Sequence, residues 1–238
     1  QVTQLRRFLA WLRDEGGIEG PTHPRTLFSP RQVERMNWLR ENARGTVLEV
    51  GCNWGAVLAW MSPGLHVAKD GHAGVDINPT NIDLARAISP EFTFTQGDAL
   101  RIPHEDKSFT TVMLPETLEH LDFSTEVPNA IYEAKRVAQE RVLITLPDGR
   151  TDSEDACSFK HRYLFDEKHT QALMAMLPGA TLEYKGGFAL IIYEVLEQPS
   201  GKDRSPMQPD TATSPILTDH ALDYDTPLII KASTPENQ

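Results

Sequence analysis

The stretch Thr46-Val-Leu-Glu-Val-Gly-Cys-Asn-Trp-Gly55 decides the fold of this chain. A β-rich run stops abruptly at a loop that begins and ends with glycine, and an acid, Glu49, stands two places before the first glycine. About twenty residues past the loop, a second apolar run, Ala73-Gly-Val-Asp-Ile77, also ends in an acid. A glycine loop lets the backbone approach a ligand closely, and a distant carboxylate binds the vicinal hydroxyls of a ribose. The two segments together predict a nucleoside site.

Strand and helix patterns alternate from Thr46 onward, which predicts a mainly parallel sheet with helices on both faces. We expect helices near 55–61, 79–88, 125–138 and 166–177, and strands near 46–50, 73–77, 92–95, 109–114, 140–146, 181–184 and 188–196. Only Gly186-Gly187 links the last two strands, so they should pair antiparallel. The predicted fold class is α/β, a doubly wound, mainly parallel seven-stranded sheet with a terminal antiparallel strand.

Composition divides the 238 residues into three parts. Residues 1–44 form an N-terminal helical segment, with apolar residues at helical spacing over 3–15 and a second helix that Ser29 caps and Pro30 begins. This segment either covers a substrate as a lid or packs on the sheet without touching one. Residues 45–197 form the core. Residues 198–238, rich in Pro, Ser and Thr, are predicted to be a flexible tail.

Charge and cysteine content exclude several classes of function. The net charge of -11 disfavours nucleic-acid partners, because phosphate contacts need clustered Lys and Arg. Two cysteines cannot build a disulfide framework, which favours a reducing, cytoplasmic setting. The sequence contains no cluster of Cys and His residues that would indicate a metal site. No apolar run approaches the ~20 residues that span a bilayer, so we expect no membrane partner.

The spacing of acids and glycines also narrows the kind of nucleoside. Asp98, in Gln96-Gly-Asp-Ala99 after a predicted strand, is placed to accept a hydrogen bond from the exocyclic amine of a base. The dinucleotide fingerprint Gly-x-Gly-x-x-Gly fails at its middle position, which is Asn53. Because the middle glycine admits a pyrophosphate and no Gly-Lys-Ser/Thr loop is present, a ligand without phosphates fits better.

At this point the sequence resembles the class I S-adenosylmethionine-dependent methyltransferases, in the branch that modifies small molecules. The resemblance runs from about Thr46 to Leu196 and includes Leu118-Glu-His120, Val142-Leu-Ile-Thr-Leu-Pro147 and Lys160-His-Arg-Tyr-Leu-Phe-Asp166. It implies S-adenosylmethionine as the cofactor, with Asp76 at the ribose and Asp98 at the adenine. The implied cofactor-binding residues are Glu49, Gly51, Asn53, Gly55, Asp76, Ile77, Asp98, Ala99 and Pro115.

The resemblance has one departure at the loop itself. Asn53 stands where the family has a central glycine. Asparagine tolerates a positive φ better than most residues, so the turn should survive the exchange.

Methyl transfer is an in-line displacement, so the protein mainly aligns the reactants, and a base helps only when the nucleophile carries a proton. His120 and His161 are the candidate catalytic residues, although either histidine could instead pack or bond to backbone. Glu116 and Tyr163 are the candidate substrate-binding residues. We expect a small-molecule acceptor that offers a hydroxyl, such as a sugar, polyol or secondary metabolite.

Three alternatives stay open at the level of sequence. One is N-methylation of a small amine, which the acidic residues would suit. Another is a catalytically inactive S-adenosylmethionine-binding partner or regulatory subunit, which Asn53 and the long tail suggest. The third is a nicotinamide oxidoreductase, against which the missing middle glycine argues.

Overall fold

A computed structural model of the chain describes residues 29–61, 71–150, 162 and 165–195. Its helices are α1 (Pro30–Asn42), α2 (Ala56–Met61), α3 (Pro79–Ile88), α4 (Val127–Val137) and α5 (Glu167–Met176), with a 3₁₀ turn at Leu118–His120. Its strands are β1 (Val47–Val50), β2 (His72–Asp76), β3 (Thr93–Gln96), β4 (Phe109–Pro115), β5 (Ala138–Pro147), β6 (Thr181–Lys185) and β7 (Phe188–Glu194). Every element predicted within these ranges is present, with ends that differ by no more than two residues.

The described strands form one seven-stranded sheet in the order β3-β2-β1-β4-β5-β7-β6. Strands β1 to β5 run parallel. Strand β7, the last of the described strands, lies antiparallel between β5 and β6. The prediction of a mainly parallel, seven-stranded sheet with an antiparallel final strand is therefore confirmed.

Two hydrophobic clusters cover the two faces of the sheet, because successive strand residues point to opposite faces. On one face, Val47 of β1, Met113 of β4 and Leu143 of β5 pack with apolar residues of α1, α2 and α3. On the other face, Leu48 and Val112 pack with apolar residues of α4 and α5. Both faces of the central strands are thus covered, which explains why β1 and β2 are buried along their whole length.

Local capping signals set the starts of three helices. The Ser29 side chain accepts from the amide of Gln32 at the start of α1, and Pro30 occupies the first position, as predicted. Asn78 caps α3 in the same way, ahead of Pro79. Asp166 caps α5 by accepting from the amide of His169 at 2.9 Å.

Several predictions fall outside the described residues. They are the helix over 3–15 with its candidate role as a lid, the tail of residues 198–238, and the side chains of His161 and Tyr163. The proposed boundaries at 44/45 and 197/198 therefore stay predictions. None of the described helices has the length and apolar character that crossing a membrane requires.

Candidate functional site

The candidate site lies at the carboxyl ends of the parallel strands, where the order of strands changes direction. From β1 the chain builds β2 and β3 on one side, then returns to build β4 and β5 on the other side. Ligands of open α/β sheets bind at such a switch point. The loop after β1, the ends of β2 and β3, and the end of β4 therefore meet at one edge of the sheet.

The loop after β1 is held against β2 by backbone hydrogen bonds. The amides of Gly51 and Cys52 donate to the Val75 carbonyl at 2.8 and 3.0 Å, and the Gly55 amide donates to the Cys52 carbonyl at 2.8 Å. Gly51, Asn53 and Gly55 adopt φ values of 74°, 49° and 79°. Asn53 therefore takes the left-handed conformation, as its sequence context predicts.

The two glycines of this loop are required for a reason that the sequence does not reveal. A Cβ added to Gly51 would lie 2.6 Å from Oγ1 of Thr117, and one added to Gly55 would lie 2.7 Å from the ring of Phe94. The space beside each Cα is thus filled by the protein itself. Positive φ and close internal packing, more than close approach of a ligand, account for these two glycines.

Asp76 ties the loop to the start of α3. Its Oδ2 accepts from the amide of Asn53 at 2.8 Å, and its Oδ1 accepts from the amide of Asn78 at 2.9 Å and from Nδ2 of Asn81 at 3.2 Å. Each carboxylate oxygen can accept more than one hydrogen bond, so a further donor can be accommodated. Ile77 follows with 67% of its surface exposed, an unusual position for a large apolar side chain.

Asp98 lies beside Asp76, at the end of the neighbouring strand. Strand β3 pairs in parallel with β2, and the amide of Gly97 donates to the Asp76 carbonyl at 3.0 Å. Oδ1 of Asp98 accepts from the amide of Leu100 at 2.9 Å, so this acid also shapes its own turn. Ala99 is half-buried and packs against the core. The two aspartates predicted to bind one nucleoside are thus brought to the same edge of the sheet.

Glu49 is buried on β1 beneath the loop. Only 2% of its surface is exposed, and Oε2 accepts from the amide of Leu58 at 3.2 Å near the start of α2. Burial raises the pKa of this carboxyl to about 8, since desolvation disfavours its charged form. Arg35 opposes that increase, and the charge of Asp76 adds to it.

The end of β4 carries a second group of polar residues. Pro115 is buried, and Glu116 follows it with a φ of 52°. The hydroxyl of Thr145, on β5, donates to Oε1 of Glu116 at 3.2 Å and accepts from Nη1 of Arg35 at 3.3 Å. Arg35 lies on α1 and is only 4% exposed. A chain of hydrogen bonds therefore runs from α1 across β5 to the end of β4.

Glu119 is the functional candidate that the sequence reasoning missed. It lies in the 3₁₀ turn, is completely buried, and neither of its carboxylate oxygens has a hydrogen-bond partner within the described chain. Burial, followed by the charge of Glu116, raises its pKa well above the usual range, while Arg35 opposes the increase. Glu119 stands within Leu118-Glu-His120, and nothing in the neighbouring sequence distinguishes a buried acid from an exposed one.

The structure places one of the two predicted catalytic histidines. His120 ends the 3₁₀ turn at the same edge of the sheet and is exposed. The amide of Arg162 donates to the carbonyl of Glu119 at 2.8 Å. The positions of His161 and Tyr163 lie outside the described residues. Across the ranges given above, no three His, Cys, Asp or Glu side chains form a group that could hold a metal ion.

Residues 48–145 match the family model described as a methyltransferase domain. Curated relatives include phthiotriol/phenolphthiotriol dimycocerosates methyltransferases from Mycobacterium leprae and Mycobacterium ulcerans. The first is 35% identical over 69 residues, which cover 28% of this chain and 25% of the relative. The second is 38% identical over 72 residues, which cover 29% and 26%. The match thus spans about a quarter of the length of these relatives.

Solved structures with the same fold cover most of the chain. A protein from Pyrococcus horikoshii has a TM-score of 0.55 at 19% identity and covers 78% of this chain and 98% of its own. A SAM-dependent methyltransferase from Aquifex aeolicus has a TM-score of 0.55 at 16% identity, with coverages of 72% and 96%. A putative S-adenosyl-L-methionine-dependent methyltransferase from Methanococcus maripaludis reaches 0.58 at 14% identity, with 74% and 90%. At these identities the likeness establishes the fold.

Proposed function

We propose that this chain, whose residues 48–145 match a methyltransferase domain, is a class I S-adenosylmethionine-dependent methyltransferase that transfers a methyl group to a hydroxyl of a small molecule. The observation that carries the proposal is the meeting of the Gly51–Gly55 loop, Asp76 and Asp98 at the strand switch point of the sheet. The acceptor class, a sugar, polyol or secondary metabolite, is a proposal from the sequence.

The described residues fit the adenosine part of this cofactor. We assign Asp76 to the ribose hydroxyls, because its carboxylate lies at this edge of the sheet and its oxygens can accept further hydrogen bonds. Ile77 is assigned one face of the adenine, which explains an exposed apolar side chain beside a charged one. Asp98 and Ala99 are assigned the edge of the same base.

The remaining assigned residues surround the methionine part. They are Glu49, Gly51, Asn53 and Gly55 around the loop after β1, and Pro115 at the end of β4. When bound, S-adenosylmethionine supplies a methyl group that its sulfonium already activates. The protein then has to orient the acceptor and exclude water, which the buried end of β4 favours.

The acceptor is assigned to the end of β4 and the segment around residue 162. Glu116 and Tyr163 are proposed to hold the acceptor hydroxyl, and His120 or His161 to take its proton. The named substrates of the curated relatives support an oxygen acceptor, since phthiotriol is a triol. A basic group is needed for this chemistry because an alcohol stays protonated at neutral pH.

A second candidate function is N-methylation of a small amine. The half-buried carboxyl of Glu116 and the buried carboxyl of Glu119 favour it, because an ammonium group gains most from a site lined with acids. Both functions use the same cofactor and differ only in the acceptor. A protein that binds the cofactor without transferring methyl groups is the third outcome to be distinguished.

The test has two stages on the full chain. Isothermal titration calorimetry with S-adenosylmethionine and S-adenosylhomocysteine should show saturable heat for both. Asp76→Ala should abolish or strongly reduce the heat of binding. Glu183→Gln, at an exposed site on β6, should leave the heat unchanged. Absence of heat from demonstrably folded protein would refute the cofactor assignment.

The second stage incubates the protein with labelled S-adenosylmethionine and matched acceptor panels, hydroxyl compounds in one and amines in the other. Mass spectrometry then identifies the methylated product. Turnover confined to the amine panel would replace the hydroxyl proposal with the N-methyl one. Tight cofactor binding without turnover in either panel would favour the inactive binding partner.

A further inference from the structure

A polar cluster lies on the α1 face of the sheet, and it includes Glu49, which is assigned to the methionine part of the cofactor. We call it the Arg35 cluster; it consists of Arg35, Glu49, Glu116, Glu119 and Thr145. Arg35, Glu49 and Glu119 are 4%, 2% and 0% exposed. The guanidinium of Arg35 thus interacts with the two buried carboxyls, Glu49 and Glu119, and is linked through Thr145 to the half-buried Glu116.

The carboxyls of this cluster differ in how their oxygens are satisfied. Glu49 accepts from the amide of Leu58, and Glu116 accepts from Thr145. Within the described residues, Glu119 has no donor for either oxygen. A buried polar group without a partner is costly, so Glu119 has the most to gain from a positive charge placed nearby.

The charged side chains that act on Glu119 are Arg35 of α1, which favours its ionised form, and Glu116 on the same segment, which opposes it. Glu49 of β1 shares the charge of Arg35 and interacts in turn with Asp76 and Cys52. Arg162 contributes its backbone amide, which donates to the Glu119 carbonyl. Burial raises the pKa of both Glu49 and Glu119, which favours the protonated form of each carboxyl. The free site therefore holds protons that a cation can displace.

We propose that Glu119 makes the site prefer the positively charged methyl donor over the neutral demethylated product, because it releases its proton when the sulfonium binds. The O–H bond of the carboxylic acid breaks and the proton goes to solvent, with no other bond changed. After transfer the sulfur is neutral, the carboxylate takes a proton back, and the product is held less tightly. This inference rests on the proposed function, since it needs the sulfonium cofactor in the assigned site.

The size of the effect follows from proton linkage. One proton released per donor bound makes the donor's affinity rise about tenfold per pH unit relative to that of the product. Between pH 6.5 and 8.0 the ratio of the two affinities should therefore increase by up to about 30-fold. S-adenosylmethionine and S-adenosylhomocysteine differ only at the methyl group and charge of the sulfur, and the comparison of wild type with Glu119→Gln separates the proton of Glu119 from those of the ligands' own amino groups.

The test is calorimetric titration of the full chain with each ligand in two buffers of different ionisation enthalpy. The buffer dependence of the heat counts the protons released on binding. We expect close to one more proton for S-adenosylmethionine than for S-adenosylhomocysteine. Equal counts for two ligands that both bind would overturn the inference while leaving the proposed function intact.

Variants assign the proton to one residue. Glu119→Gln, which mimics the protonated carboxyl, should bind both ligands and lose the difference in proton count. Glu183→Gln is the exposed control and should keep the difference. Two results would refute the assignment to Glu119. In the first, Glu119→Gln keeps the difference in proton count between the two ligands; in the second, only Glu49→Gln loses that difference. If folded protein binds neither ligand, the proposed function itself fails, which is a different result from equal counts.

Discussion

Replacing Glu49 by glutamine tests whether burial sets the protonation of the candidate site. The side chain is 2% exposed, and its pKa rises from 4.5 to about 8 on folding. Between these two values the folded protein binds a proton that the unfolded chain has lost. The free energy of unfolding therefore decreases as pH rises through this window, by about 1.4 kcal/mol per pH unit.

The whole interval corresponds to a change of about 5 kcal/mol, which is a large fraction of the stability of an ordinary domain. The stabilisation is fully present below pH 4.5 and is lost as pH rises through about 8. Glutamine has the same shape, stays neutral at every pH, and offers an oxygen to the Leu58 amide. The free energy of unfolding of Glu49→Gln should therefore equal that of the wild type at low pH and exceed it at high pH.

The assay is urea unfolding of wild type and variant at several values between about pH 5 and pH 8. The stability difference should grow by several kcal/mol in favour of the variant across that range. The exposed control Glu183→Gln should follow the wild type. Parallel pH profiles for wild type and Glu49→Gln would show that Glu49 titrates normally and would refute the argument from burial.

Three further predictions concern the loop, the ribose and the acceptor. Gly55→Ala should cost about 1–3 kcal/mol more in urea unfolding than Gly179→Ala. Both residues have positive φ, but only the first would press a Cβ against a neighbouring side chain, so equal losses would contradict this packing argument. Asp76→Ala should lower the affinity for S-adenosylmethionine, measured by calorimetry, by roughly 100-fold, which corresponds to about 3 kcal/mol for the loss of a charged hydrogen-bonding group. An unchanged affinity would show that Asp76 does not contact the cofactor. Glu116→Gln should lower kcat by about 10-fold or more, with cofactor affinity retained, and unchanged turnover would exclude it from handling the acceptor.

Local sequence patterns were sufficient to predict most of the fold. Strands of parallel sheets are buried on both faces and end at turn residues, so runs such as Val47–Val50 and His72–Asp76 are visible without tertiary information. Helix starts at Pro30 and Pro79 follow from capping residues next to them in sequence. The change in strand order places the sequence-predicted Asp76 and Asp98 at one edge, as their positions after successive strands imply.

The sequence by itself determined the sheet, its likeness to a family and the acids at its edge, because these depend on neighbours a few residues apart. Only the tertiary structure decided which acids are buried and what surrounds them. Arg35, Glu119 and Thr145 come from distant parts of the chain, and burial of a polar side chain depends on those long-range contacts. The same reason applies to Gly51, whose missing side chain makes room for Thr117, a residue far along the chain.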